Sequence, residues 1–333
     1  MTVRIVGTGS CLPERKLTNR ELEKIIETTD EWILARTGIR ERGIVAEGEA
    51  TSDLATRAAE RALAQAGWRA SDLDLIVLGT VTGDMLTPST ATLVQRNLRV
   101  GRPIPAFDIS AACTGFVYGL EIVGALLESG RYRRALLMGA EAISRFIDYQ
   151  DRGTCVIFGD AAGAALLEAG GEGGGILATS LKSDGEFWDM IHLPGGGSRR
   201  PASPYMLAQR EQYLRMNGRS VFKLAVQALE QVMNETAERA GWKLAEVDHF
   251  LVHQANARIL EAVTERIGVP VERVPSNIER TGNTSAASIP VLLDECNRAQ
   301  RFRPGDKLLL AAFGAGLTWG AAAVEWTAAR GGS

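Results

Sequence analysis

Cysteine is scarce in this 333-residue chain. The four that occur, Cys11, Cys113, Cys155 and Cys296, stand far apart with no Cys-x-x-Cys pair. That scatter excludes a disulfide framework and a structural zinc site, and reads as reduced thiols. Histidine is scarcer still, with three residues, and no cluster of His, Asp or Glu has metal-ligand spacing. No apolar run is long enough to span a bilayer, so no membrane partner is expected. An excess of one charge is missing too: 37 basic against 40 acidic side chains leave a formal net charge of −3, which gives no reason to expect nucleic acid or an anionic surface as partner. The opening "MTVRIVGTGS" lacks the charged, apolar and cleavable order of a secretion signal, so the expected compartment is the cytoplasm. "GTGS" from Gly7 has no third glycine to complete G-x-G-x-x-G, and a dinucleotide cofactor is not expected.

What the chain does have is an internal repeat. Residues 66–80, "AGWRASDLDLIVLGT", align without a gap on residues 240–254, "AGWKLAEVDHFLVHQ". "RIVGTGS" from Arg4 resembles "GILATS" from Gly175, and "GAALLEA" from Gly163 resembles "GAAAVEW" from Gly320. Self-similarity of this length predicts two similar α/β halves, residues 1–172 and 173–333, joined in the linker "GGEGGG". Within each half, apolar strands such as "DLIVLG", "RALLMGA" and "KLLLAAF" alternate with helical patterns such as "DLATRAAERALAQAG", which argues for mostly parallel sheets covered by helices. The run 113–129 is apolar nearly all round, as a helix buried between two sheets would be, and Gly130 with Arg131 marks its end.

The strand "IPAFDI" leads through "SAA" to Cys113 at the mouth of that helix, where unpaired backbone N–H groups and the positive dipole end favour thiolate over thiol. A cysteine beside alanines is equally what a small buried hydrophobe looks like. His253 closes the strand "HFLVH", at the carboxyl end where open α/β sheets gather ligands; a hydrogen-bonded structural histidine is the other reading. His249 opens the same strand and reads as structural, and His192 in "WDMIHLPGGG" has no evident partner. Asn283, in "ERTGNTSAAS", occupies the second-half counterpart of the Cys113 region. Alone it reads as a helix N-cap, and Asn283-Thr284-Ser285 also fits a glycosylation acceptor, a pattern that matters only in a secreted chain.

Taken in order, "IVGTGSCLP", "TTDEWILARTGIRER", "FDISAACTGF", "DRGTCVIFGDAAGA", "VFKLAV", "HQANARI", "GNTSAAS" and "AFGAGLTWGAA" resemble the β-ketoacyl-acyl-carrier-protein synthase III family over nearly the whole chain. The resemblance implies a thiolase-like α/β fold, with two halves whose mixed sheets pack around central buried helices in five layers, αβαβα. It implies that Cys113 attacks an acyl-CoA thioester to form an acyl-enzyme, and that the backbone N–H groups of Cys113 and Gly316 hold the oxyanion. His253 and Asn283 would then donate to the enolate formed when malonyl-acyl-carrier protein loses CO2, in the condensation that initiates fatty-acid synthesis. The family works as a homodimer, with coenzyme A thioester as substrate and no other cofactor or metal.

Trp32, Arg36 and Arg152 match family positions that contact coenzyme A, and Thr28 and Asn256 match further members of that channel. Lys223 and Arg258 match the surface that docks the acidic carrier protein; all these residues are also at home in ordinary surface packing and ion pairing. Three features depart from the family pattern or leave it open. "FGAGL" has Ala315 and Leu317 where glycine and an aromatic are common, and "DMLTPST" has Thr87 where some members extend an aromatic across the dimer into the acyl pocket. A small residue there would admit a longer or branched primer. The stretch 183–217, with "GGGSRRP", reads as a polar surface loop or as a shaper of the entrance. The other readings are acyl transfer to an oxygen, nitrogen or sulfur acceptor without extension, a condensing enzyme of secondary metabolism, a cysteine protease with Cys, His and Asn in this order, and a non-catalytic module that binds the carrier protein.

Overall fold

The computed structural model describes residues 2–171 and 173–327; Glu172, where the two expected halves meet, lies outside the described residues. The first stretch contributes β1 (Val3–Cys11), α1 (Asp30–Thr37), α2 (Thr51–Ala66), β2 (Leu75–Gly79), α3 (Thr90–Asn97), β3 (Ala106–Ile109), α4 (Gly115–Glu128), β4 (Arg134–Glu141) and β5 (Ala161–Ala169). The second contributes β6 (Gly175–Ser183), α5 (Gly218–Arg239), β7 (His249–Val252), α6 (Ala257–Ile267), α7 (Ser288–Arg298), β8 (Lys307–Gly314) and β9 (Thr318–Glu325).

The strands form a five-stranded sheet in the order β1-β5-β4-β2-β3 and a four-stranded sheet in the order β7-β8-β9-β6. Read from β1 and from β6, the two orders coincide, with β3 having no counterpart in the smaller sheet. Both sheets are mixed, which corrects the expectation of mostly parallel pairing. The pairs β2–β3, β2–β4 and β7–β8 run parallel and the remaining ones antiparallel. Residues 315–317, which join β8 to β9, are too few for a crossover helix, so the chain must turn straight back.

Three apolar clusters define the layers. α2 and α3 cover the outer face of the larger sheet, α5 and α6 cover the outer face of the smaller one, and α4 and α7 fill the space between them. β2 is buried on both faces, which is why its sequence is continuously apolar. On α4, Phe116, Val117, Leu120, Val123 and Leu127 are buried, each contributing ~1.5–3 kcal/mol of apolar burial. α4 is not covered all round, however: Glu121, Ala125 and Glu128 form an exposed stripe on the single chain.

The repeated "AGW" has a local cause. Gly67 and Gly241, at φ 65° and 74°, end α2 and α5 in the left-handed region, and Trp68 and Trp242 then fold back into the core. In the short turns that follow, the Asp72 carboxylate accepts from Arg69 N at 2.9 Å, and the Glu246 carboxylate accepts from Lys243 N at 3.4 Å. "GTGS" is likewise structural, because β1 lies directly against α2. A Cβ on Gly9 would stand 2.3 Å from the Ala58 carbonyl oxygen and 2.5 Å from Ala62 N. Gly9→Ala is therefore expected to cost about 2 kcal/mol and to lower the thermal unfolding midpoint, whereas Gly185→Ala, whose Cβ meets nothing within 4 Å, should leave it unchanged; differential scanning fluorimetry on the two variants checks this.

Candidate active site

Cys113 sits in a single 3-10 turn, Ala112–Thr114, between the end of β3 and the start of α4. Ala112 is held at φ 46°, a left-handed conformation that costs an alanine energy. The second half has a matching turn, Ser285–Ala287, ahead of α7, with Ser285 at φ 50°. The two turns touch at the centre of the molecule. Gly314, at the end of β8, closes on the first turn so tightly that a Cβ there would lie 2.8 Å from Cys113 N.

These elements surround a cavity of about 430 Å³ into which Cys113, His253 and Asn283 all face. His253 follows the last residue of β7, and its backbone N–H donates to the Ala311 carbonyl of β8 at 2.8 Å. Asn283 is tied down by its neighbours: its N–H donates to Ile157 O at 2.9 Å, and its carbonyl accepts from Gly159 N at 3.0 Å. Its Oδ1 accepts from Ser285 N at 2.9 Å, which leaves the Nδ2 amide as the group free to donate among the described residues. Asn283 is thus not the cap of α7, whose N-cap is Ala287, and burial of Asn283, Thr284 and Ser285 removes the glycosylation reading.

Burial dominates the electrostatics. It pushes the Cys113 thiol up to about 12, opposed by the Ser285 hydroxyl and helped by the nearby Glu141 carboxylate. The expected thiolate is therefore a thiol at this cavity wall, because loss of water outweighs the helix mouth. Burial alone lowers His253 to about 4, so its imidazole is neutral. Its Nδ1 is buried without a partner among the described residues.

Cys113 and Ala315 both line the cavity. Neither Cys113 N–H nor Ala315 N–H donates to a backbone carbonyl among the described residues. Phe313, Gly314 and Ala315 line the cavity and Gly316 does not, so the turn presents Ala315 where the sequence reading placed Gly316.

The outer part of the cavity carries Trp32, Arg36, Arg152, Asn256 and Arg258. The Arg152 guanidinium lies 4.6 Å from the Trp32 ring centroid, that of Arg36 lies 5.5 Å away, and Arg152 Nη1 donates to Glu27 O at 3.1 Å. Asn256 caps α6, with its Oδ1 accepting from Ile259 N at 2.9 Å. Arg258 lies over Phe222, at 5.8 Å from that ring's centroid. Thr28 falls outside the lining, with its hydroxyl buried and unpartnered, and Lys223 is exposed on α5, also outside it. Thr87 does not line its own chain's cavity; it lies on the exposed loop 81–89, beside Leu86, which is 92% exposed.

The stretch 183–217 is more than surface loop, since His192, Leu193, Leu214 and Met216 from it wall the cavity. His249 is structural as read, its Nε2 lying 3.2 Å from Asp306 Oδ2. Glu141 and Ala315 were missed as site residues: the first belongs to no motif, and the second departs from its motif. Among the described residues no group of three His, Cys, Asp or Glu could hold a metal, and no helix is long and apolar enough to cross a membrane.

The family model for 3-oxoacyl-[acyl-carrier-protein] synthase III matches residues 107–185, and the model for its C-terminal part matches residues 237–326. The chain is 50% identical over 328 residues to β-ketoacyl-[acyl-carrier-protein] synthase III 3 of Streptomyces coelicolor, covering 97% of each. It is 48% identical over 324 residues to β-ketoacyl-[acyl-carrier-protein] synthase III of Symbiobacterium thermophilum, covering 97% of this chain and 98% of that one. The crystal structure of 3-oxoacyl-[acyl-carrier-protein] synthase III from Aquifex aeolicus superposes with a TM-score of 0.90 at 44% identity, covering 97% of this chain and 100% of that one.

The neutral histidine has a signature in solution. Its folded value, about 4, lies below the ordinary 6.5, so the unfolded chain binds the extra proton between those pH values and the contribution of His253 to stability grows as pH rises through that window. Relative to His253→Gln, the native protein should gain about 3 kcal/mol from pH 4 to pH 6.5; parallel denaturant titrations of both proteins across that range check it.

Proposed function

The chain belongs to the β-ketoacyl-[acyl-carrier-protein] synthase III family, and on that premise we propose that it takes an acyl group from coenzyme A onto Cys113 and joins it to malonyl-acyl-carrier protein with loss of CO2. It is a condensing acyltransferase of fatty-acid synthesis. The observation that carries the assignment of residues is the meeting of a thiol, a neutral imidazole and a free carboxamide N–H in one buried cavity.

In the first half-reaction the Cys113 sulfur attacks the thioester carbon and coenzyme A leaves as its thiolate. The developing oxyanion is held by the N–H groups of Cys113 and Ala315. In the second, the bond from the malonyl carbon to its carboxylate breaks and the electron pair moves into the thioester enolate. His253 and the Asn283 amide donate to that enolate oxygen. Both can donate while neutral, so neither adds a positive charge that would hold the carboxylate in place. The enolate carbon then attacks the acyl carbon and the Cys113 sulfur departs.

Trp32, Arg36 and Arg152 serve the nucleotide end of coenzyme A, with Thr28 and Asn256 in lesser roles. Lys223 and Arg258 receive the acidic carrier protein. Residues 1–172 supply the nucleophile and 173–333 the two donors, as two thiolase-like halves. The working form is a cytoplasmic homodimer. Supporting this are β3, half-exposed at the sheet edge, the uncovered stripe of α4 and the apolar residues of loop 81–89, which would carry Thr87 to the partner's acyl pocket.

Cys113→Ala is expected to take no acyl group from acyl-CoA, read by intact-protein mass spectrometry. His253→Ala or Asn283→Ala should still acylate but lose malonyl decarboxylation by ~100-fold or more; equal loss of both half-reactions would reverse the assignment. Thr87→Phe should shift the preferred primer toward shorter chains across an acyl-CoA length series.

A further inference from the structure

Glu141, the last residue of β4, is fully buried, and the strongest influences on it are that burial and neutral hydrogen-bond donors. Its carboxylate accepts from Thr80 Oγ1 at 3.2 Å, from Val81 N, from Thr82 Oγ1 and from Ser285 Oγ at 3.1 Å. The first three belong to the segment after β2, and the last to the turn ahead of α7. Ser285 and Cys113 line the same cavity from the two touching turns, so carboxylate, hydroxyl and thiol follow one another across the junction of the two halves. Glu141 acts on Cys113 through charge.

Acylation raises a question of proton balance. The thiol is protonated and half-buried at the cavity wall, and its proton must leave as the sulfur attacks. His253 is a poor recipient, since burial holds it near 4, whereas burial raises Glu141 to about 7 and makes it the stronger base. We propose, on the synthase reading above, that Glu141 is a positioning residue for the nucleophile and receives the Cys113 proton through the Ser285 hydroxyl as the acyl-enzyme forms. The S–H proton passes to Ser285 Oγ while the Ser285 O–H proton passes to Glu141, and the sulfur's electron pair forms the new bond to the acyl carbon. Coenzyme A leaves with the old C–S pair and is protonated by water. When condensation later expels the Cys113 thiolate, the proton returns from Glu141 by the same path. The buried negative charge is thereby relocated without a second one being created.

The test measures acyl-enzyme formation from acetyl-CoA by quenched intact-mass spectrometry across pH ~5 to ~9, on the full chain. For the native protein, acylation should rise through about pH 7 as Glu141 ionises. Glu141→Gln should acylate ~100-fold more slowly and lose that rise, and Glu141→Asp should keep the rise with a smaller loss. Ser285→Ala should match Glu141→Gln, and the double variant should be no slower than either single one. Ser285→Ala guards against misfolding: Asn283 is held by the Ser285 backbone N–H, which the variant keeps, and Ala112 already adopts nearly the same φ. Malonyl-CoA decarboxylation by each variant, which needs no Cys113 proton transfer, should stay near the native rate. If Ser285→Ala and Glu141→Asp acylate with the native rate and pH profile, the relay is wrong while the synthase reading stands. If the native protein takes no acyl group at all, the synthase reading itself fails.

Discussion

The chemistry of this molecule depends on the contact of two turns, Ala112–Thr114 and Ser285–Ala287, each opening on a left-handed residue just before a helix that enters the space between the sheets. Each turn alone is strained and unremarkable in sequence. Pressed together, with Gly314 giving room for Cys113, they set a nucleophile from one half beside donors from the other. Because β1-β5-β4-β2 and β6-β9-β8-β7 follow the same order, a pocket between equivalent strand ends is a geometric result of the repeat.

The fold was legible in the sequence wherever the pattern reflected a repeated physical need. "AGW" recurs because a helix must stop and a tryptophan must fold back, and "LIVLG" is continuously apolar because helices cover both faces of β2. Strand direction was less legible, since a buried parallel strand and a buried antiparallel one make the same demand on side chains. Of the site, Cys113, His253 and Asn283 could be read because strand ends and helix starts leave signals. Glu141 could not, because a single carboxylate in the apolar strand "RALLMGAE" gains its meaning only from Thr82 and Ser285, which are remote in sequence. The same limit misled the expectation of a thiolate. Position at a helix mouth is visible in a sequence, but the depth of water above a sulfur is not.

That depth gives the site its character. With the thiol pushed up and the imidazole pushed down, the resting cavity holds no Cys–His ion pair, and the imidazole and carboxamide that face into it are uncharged. The cationic groups, Arg36, Arg152 and Arg258, are exposed at the outer end. A charged ligand is thus met by charge where water screens it, and its reacting end is surrendered to a dry, nearly neutral interior.

The arginine laid over Trp32 has a kinetic consequence. At 4.6 Å from the ring centroid, the Arg152 guanidinium occupies the place where an incoming flat heterocycle would stack on that face of the indole. A flat ring held between the two, as the proposed coenzyme A site requires, enters only when the guanidinium swings off the indole, so that berth opens and shuts by one side-chain rotation.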